Sequence, residues 1–237
     1  MLVWQAPTRA MNPSIPEAFV AEAYERDPAS AAAEYGAEFR DDITGFVTRQ
    51  AATAVVDAGV TIRPAMYGTH YHAFADPSGG SADSMTLAIA HTEGGKAVLD
   101  CIREVRPPFS PEQVVYEFSL LLRTYNVRSV RGDRYGAEWV AETFRRHGIS
   151  YHGSPKTRSE IYLELLPALN SGALRLLDDE RLLTQLCSLE RRTSRAGRDM
   201  VDHGPGGHDD VANAAAGALV AASPIAAERG RVLVGAY

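Results

Sequence analysis

The sequence has little of what marks several large classes of protein. It holds two cysteines, Cys101 and Cys187, and no C-x-x-C pair, so neither a zinc site nor a disulfide framework is indicated. No apolar run approaches the roughly 20 residues that span a bilayer. A basic segment followed by an apolar one is absent from the N-terminus, so we predict no secretory signal and expect a cytoplasmic location without membrane contact.

A positive net charge is also missing. The chain has 24 Lys and Arg against 30 Asp and Glu, a formal net charge of −6. Dedicated nucleic-acid binders are usually basic, because cations that neutralise phosphates supply most of the non-specific affinity. Any contact with DNA must therefore come from a local basic surface. Basic runs are more typical of a solvated face, but two of them flank acidic motifs here. They give the candidate DNA-binding residues Lys156, Arg158, Arg191, Arg192, Arg195 and Arg198.

The remaining composition is that of an ordinary globular protein, with 45% hydrophobic and 23% charged residues in 237. This length allows one sizeable core. Residues 1–65 combine turn formers with helical pieces and show no strand alternation before "ITGFVT". We interpret residues 1–65 as a connecting arm and residues 66–237 as the single folded domain.

From Tyr71 onward the hydrophobic pattern predicts an α/β fold. Three strands come first, with a hairpin turn at Gly94–Gly95. Helices and strands then alternate, and Ser110 and Pro111 mark the start of the first helix. The order predicts a mixed sheet of five or more strands, a β-meander followed by parallel strands, flanked by helices. The predicted strands are 71–76, 84–95, 96–107, 128–133, 149–155 and 173–179, and the predicted helices are 110–127, 137–148, 159–172, 179–192 and 211–222, with a polar hairpin over 193–207.

Acidic residues recur where these elements begin or end. Asp76 ends the first strand, Asp133 ends the fourth, and Asp209 and Asp210 open the alanine-rich last helix, whose small side chains would let it lie close to the sheet. If the first and fourth strands are parallel neighbours, about 5 Å apart, Asp76 and Asp133 face one cation. An oxygen-rich site of this kind suits Mg²⁺ or Mn²⁺, and such ions promote phosphodiester cleavage.

Each of these acids also has an ordinary explanation. Asp76 is a common turn residue before Pro-Ser-Gly-Gly, Asp133 could form an ion pair beside Arg134, and Asp209 could cap the helix. The coincidence of all three at one predicted sheet edge favours the cation site. A histidine such as His208 is more often a surface residue than a metal ligand. Asp83 lies in a loop that gives it no fixed position.

Four segments carry a resemblance to a known family. "FADPSGGSADSMTLAIAH", "VRGDRYGAEWV", "KTRSEIYLELLPALNSGALRLLD" and "GGHDDVANAAAGALV" resemble the nuclease domain of bacteriophage terminase large subunits, the DNA-packaging motors. The resemblance covers residues 66–222, and "VWQAPTRAMNPSIP" and "EYGAEFRDDITGFV" are similar to the segment that joins the family's ATPase to its nuclease. It implies a ribonuclease H-like fold and a metal-dependent endonuclease that cuts concatemeric DNA.

The resemblance also implies roles for single residues. The catalytic, metal-holding acids of the family fall on Asp76, Asp133, Asp209 and Asp210, with Asp210 favoured as a direct ligand. Asn213 stands where related resolvases often carry a further Asp, and its amide oxygen can coordinate an ion without adding charge. His208, Asn213 and Asp83 are therefore auxiliary candidates. The implied partners are double-stranded DNA, a terminase ATPase domain or subunit, the small terminase subunit and the portal, in the host cytoplasm.

The sequence departs from the complete family member in one respect. No G-x-x-x-x-G-K-[ST] loop, whose amides would cradle phosphates, is present. We therefore expect an excised domain, a truncated prophage product or one part of a split terminase. Two other functions stay open, a Holliday-junction resolvase of the same fold and a catalytically inactive prophage fragment that serves as a docking module.

Overall fold

A computed structural model describes residues 5–26, 31–32, 34–37, 43–134, 137–193 and 199–223 of the chain. Its elements are numbered in chain order. The helices are α1 (Thr8–Met11), α2 (Glu17–Arg26), α3 (Arg49–Thr53), α4 (Pro111–Thr124), α5 (Ala137–Arg146), α6 (Arg158–Asn170), α7 (Glu180–Ser188) and α8 (Asp210–Ala222). The strands are β1 (Ile43–Gly45), β2 (Tyr71–Asp76), β3 (Met85–Glu93), β4 (Lys96–Val105), β5 (Ser129–Gly132), β6 (Ser150–Gly153), β7 (Leu174–Arg175), β8 (Leu189–Thr193) and β9 (Asp199–His203).

The central sheet has six strands in the order β6-β5-β2-β3-β4-β7. β2, β3 and β4 form the antiparallel meander, and β5 and β6 continue the sheet parallel to β2. The turn between β3 and β4 places Gly94 and Gly95 at φ of 55° and 78°, which a two-residue hairpin of this kind needs. The predicted mixed sheet, with its meander followed by parallel strands, is confirmed.

Helices cover both faces of this sheet because its strands alternate. In β2, Ala73 and Ala75 point into a core formed with α4 and α5, whereas Phe74 points into a second core formed with α6, α7 and α8. β3 divides its side chains between the two cores in the same way. The three layers follow directly from the period of two along a strand.

Helix α8 is buried along almost its whole length and packs on β2, β3 and β4. It approaches the sheet closely because its residues are small. At Gly217, an added Cβ would lie 2.3 Å from the Phe74 Cγ atom, so the helix backbone rests directly on that ring. The structure thus confirms that the alanine-rich segment lies tight against the sheet.

A second, three-stranded antiparallel sheet has the order β1-β8-β9. The helix predicted over 179–192 is wrong beyond Ser188, because Leu189 is already extended and residues 189–193 pair with both β1 and β9. This pairing with strands distant in sequence overrides the local helical pattern. The predicted strand over 173–179 is reduced to β7 and a bridge between Leu176 and Val56.

Part of the predicted connecting arm packs against the rest of the chain. Phe46, Ala52 and Val55 belong to the same core as α8, and β1 pairs with β8. The boundary at residue 65 remains a prediction. Among the residues described, no helix combines the length and apolar character needed to cross a membrane.

The contact between Gly217 and Phe74 predicts an unusual response to substitution. Gly217→Ala should lower the free energy of unfolding by roughly 1–3 kcal/mol through overpacking, although alanine alone would favour the helix by about 1 kcal/mol. Urea unfolding measures this change. In a Phe74→Leu background the same substitution should cost much less, and a Gly217→Ala chain more stable than the parent would contradict the packing described.

Candidate active site

The parallel pairing of β2 and β5 places two acids side by side at one edge of the sheet. Ala75 is in register with Gly132, and the Asp133 amide donates to the Ala75 carbonyl at 3.3 Å. Asp76 and Asp133 therefore meet at the carboxyl ends of the two strands, where α8 also begins. They line a cavity of about 440 Å³ together with Asp83, Arg158, His203, His208, Asp209 and Asp210.

Asp76 is buried where these two strands meet α8. Its side chain is 8% exposed, and its Oδ2 atom accepts a hydrogen bond from Asn213 Nδ2 at 3.0 Å. Burial raises the pKa of Asp76 to about 7, against the opposing effects of the Asn213 hydrogen bond and the charge of Arg158. Asp76 is thus joined to α8 through Asn213.

Asp209 does not cap α8 with its side chain, so that explanation is wrong. The residue is 2% exposed, and its carboxylate is taken up by α6. Oδ2 accepts from the Tyr162 hydroxyl at 2.8 Å, and Oδ1 accepts from Arg158 Nη1 at 2.7 Å. These two donors are four residues apart and so lie on one face of α6. Asp209 thereby joins the start of α8 to α6.

Arg158 is the cation among these acids. Besides Asp209, its Nη2 atom lies 3.8 Å from Asp133 Oδ2. Burial alone would lower the pKa of Arg158, but Asp209 and Asp76 raise it above its ordinary value. A residue predicted to contact the DNA backbone is thus placed inside the acidic cavity.

Asp210 and Asn213 each carry a buried oxygen without a hydrogen-bond partner among the described residues, Oδ2 of the acid and Oδ1 of the amide. Burial raises the pKa of Asp210, followed by the charges of Asp83 and Asp209. Buried polar atoms are normally satisfied, so these two oxygens, one helical turn apart, are available to ligate a cation. In the part of the chain described, no group of three or more His, Cys, Asp or Glu side chains is arranged so that it could hold a metal ion by itself.

The other candidates lie at the mouth of the cavity. His208 Nδ1 is 3.5 Å from Asp83 Oδ1, and both side chains are more than half exposed. The Asp83 backbone is fixed by the Ser78 hydroxyl, which donates to the Asp83 carbonyl at 2.7 Å. Arg134 does not pair with the Asp133 carboxylate through its guanidinium, which donates to the carbonyls of Ser154 and Pro155. The ion pair considered for Asp133 is formed with Arg158 instead.

Most of the predicted DNA-binding cations that the structure describes have acidic partners. Lys156 pairs with Glu164, and Arg191 pairs with Asp199. Arg192 Nη2 lies 2.8 Å from Glu190 Oε2. Arg195 and Arg198 fall outside the described residues. The role of these cations in DNA binding remains a prediction.

Three site residues were missed by reasoning from the sequence. Tyr162 holds Asp209, His203 lines the cavity, and Gln185 accepts a hydrogen bond from the Ala212 amide at 2.9 Å through its Oε1 atom. Of these, only Tyr162 carried a usable signal, because it lies at position i+4 from Arg158 on a predicted helix. The other two reach the site through tertiary packing alone.

The fold is that of large-terminase nuclease domains. The nuclease of the large terminase from thermophilic phage G20c, solved with bound magnesium, matches with a TM-score of 0.57 and 20% identity over 67% of this chain and 85% of that one. The nuclease domain of Thermus phage P74-26 matches at 0.56 and 20%, covering 67% and 82%. The HK97 bacteriophage large terminase matches at 0.59 and 15% over 91% of this chain, which spans 56% of it. No protein-family model and no curated protein matches the sequence.

The pKa of Asp76 predicts how stability depends on pH in the absence of metal. Between its ordinary value of 3.8 and about 7, the folded chain keeps the Asp76 proton while the unfolded chain has lost it. The free energy of unfolding should therefore fall as pH rises through this window, by about 1.4 kcal/mol per unit for one full proton. Urea unfolding in EDTA at several pH values tests this, and Asp76→Asn should flatten the dependence. Identical pH profiles for parent and variant would contradict it.

Proposed function

We propose that this chain is a divalent-metal-dependent DNA endonuclease of a phage packaging terminase, which cuts concatemeric DNA by hydrolysing phosphodiester bonds. One observation carries the proposal. Asp76, Asp133 and Asp210, from two parallel strands and a helix start, line one cavity on a fold shared with large-terminase nucleases. Acids contributed by separate elements to a single site are typical of catalysis by bound cations.

The residues present fit Mg²⁺ or Mn²⁺. Both ions prefer oxygen ligands, which the carboxylates of Asp76, Asp133 and Asp210 and the amide oxygen of Asn213 would supply. The buried oxygens of Asp210 and Asn213 without partners support this assignment. A magnesium-bound and a cobalt-bound structure of the G20c nuclease support a divalent ion for this chain as well. When bound, such an ion activates water and stabilises the leaving oxygen.

The other residues of the site position these ligands and the substrate. Asp209, held by Tyr162 and Arg158, fixes the start of α8 and so the place of Asp210. Asp209 is also a candidate ligand in its own right. Arg158 carries a charge complementary to a DNA phosphate and lies in the same cavity as the acids. Asp76 releases its proton when a cation binds, because a metal ligand must be ionised. His208 and Asp83 adjust the charge at the mouth of the cavity.

DNA packaging requires other components besides a nuclease, and the proposed partners are those components. We propose that the chain acts on double-stranded DNA with a terminase ATPase domain or subunit, the small terminase subunit and the portal, in the host cytoplasm. The HK97 large terminase, of which this chain spans 56%, supports a larger assembly.

Plasmid nicking with Mn²⁺ tests the proposal. Asp76→Asn and Asp133→Asn should each lower the rate on the order of 100-fold or more, since even residues that only orient metal ligands contribute 10–100-fold. Asp178→Asn is the matched control, because this exposed acid accepts a hydrogen bond from the Gly59 amide that asparagine can also accept. Its rate should equal that of the parent.

Two results would overturn the assignment. Either acid variant could nick DNA as fast as the parent, which would exclude these carboxylates from catalysis. Alternatively, calorimetric titration could show no Mn²⁺ binding to the folded parent chain, which would favour the docking module.

A further inference from the structure

A second and larger cavity, of about 680 Å³, lies on the sheet face beside α8. We call it the basic groove and define it by Arg128, Arg131, Lys156, His70 and His72, which line it. No acidic side chain of the described residues lines it. The cavity forms because α8 packs mainly on β2, β3 and β4 and covers only a small part of β5 on the same face.

The alternation of β5 turns the cationic side chain of Arg131 into this opening. Val130 is fully buried in the core with α4 and α5, so its neighbours Ser129 and Arg131 point to the opposite face. Both are exposed and line the groove. The register of the strand therefore places Arg131 in the groove, and Arg128 lines it from the position just before β5.

The two arginines of the groove differ from most others in the molecule. Arginines such as Arg49, Arg146 and Arg175 form ion pairs with acids on other elements. Within the described ranges, the side chains of Arg128 and Arg131 form no hydrogen bond or ion pair. In a chain with a net charge of −6, unpaired cations gathered in one acid-free cavity leave a local positive potential. Burial, His70 and Arg131 lower the pKa of the neighbouring His72 to about 4, in agreement with such a potential.

The groove reaches the acidic cavity at one end. Lys156 lines the groove two residues before Arg158, which lines the acidic cavity. Arg134, next to Asp133, donates to the carbonyl of Ser154, another groove residue, at 2.9 Å. From Arg128 to the end of β5, the strand extends about 13 Å at 3.3 Å per residue. At 3.4 Å per step along one DNA strand, this matches about four nucleotides.

We propose that the basic groove binds the phosphodiester backbone of DNA, with Arg128 and Arg131 each contacting a phosphate. The proposal deepens the nuclease function and rests on it for the identity of the ligand. It needs no metal, because only the groove cations take part. Contacts of this kind hold and orient a duplex without reading its sequence. The groove would thus hold DNA a few nucleotides from the carboxylates.

Binding of a fluorescein-labelled DNA duplex, followed by anisotropy in EDTA over a series of salt concentrations, tests this proposal. The double variant Arg128→Gln/Arg131→Gln should bind at least about 10-fold more weakly at low salt. Its slope of log K against log [salt] should be smaller by about 1.8, since each phosphate contact contributes about 0.9. Each single variant should show about half of the change in slope.

Arg103→Gln is the matched control. Arg103 is also an exposed strand arginine without an ion pair among the described residues, but it lies on β4 outside the groove. It should bind DNA within about twofold of the parent with an unchanged slope. Thermal unfolding checks that the glutamine variants are folded, and the single variants serve if the double variant is not.

The outcomes separate this proposal from the nuclease assignment. Unchanged affinity and slope in the double variant would overturn the groove, even if the parent cuts DNA. Weaker binding in the double variant would support the groove, even if the parent fails to cut with Mn²⁺. Polyglutamate labelled with fluorescein serves as a second probe in the same assay. If the double variant lost polyglutamate binding but kept DNA binding, the groove would be assigned to an acidic protein segment and the proposal would be overturned.

Discussion

The close approach of helix α8 to the sheet is the constraint on which the candidate site depends. Because Gly217 lets the helix backbone rest on the Phe74 ring, the first turn of α8 reaches the strand ends. There Asn213 donates to Asp76, and Asp210 enters the same cavity as Asp133. A bulkier helix would hold these groups away from the sheet edge. The composition of α8 is thus a requirement of the site as much as of the core.

The site brings several carboxylates together, and their negative charge needs compensating partners. Arg158 and the Tyr162 hydroxyl satisfy Asp209, and Asn213 satisfies one oxygen of Asp76. Asp210 keeps a buried oxygen without a partner among the described residues. Burying acids in this way opposes stability, and real proteins accept such costs at functional sites. The carboxylates are therefore compensated unevenly, and the Asp210 oxygen without a described partner lies where a cation would bind.

Much of the fold and of the candidate site could be predicted, because the local sequence determines the order of the elements and the ends of the strands. Asp76 and Asp133 end strands that the order of elements makes parallel neighbours, so their meeting followed from topology. The contact of α6 with Asp209 could not be predicted, since it depends on how two helices pack. Leu189 was misassigned to a helix because its strand partners are distant in sequence. The basic groove could not be predicted from runs of charge along the chain, because its cations come from separate segments, Arg131 on β5 and Lys156 before α6.

The paired aspartates at the start of α8 have one further consequence. Successive residues at a helix start point about 100° apart, so the two carboxylates face different surroundings. Asp209 is enclosed by α6, and Asp210 faces the cavity. The doublet therefore comprises two positions with different contacts, one to α6 and one to the cavity. Shifting the doublet by one residue along the chain would leave either the α6 contact or the cavity without its acid.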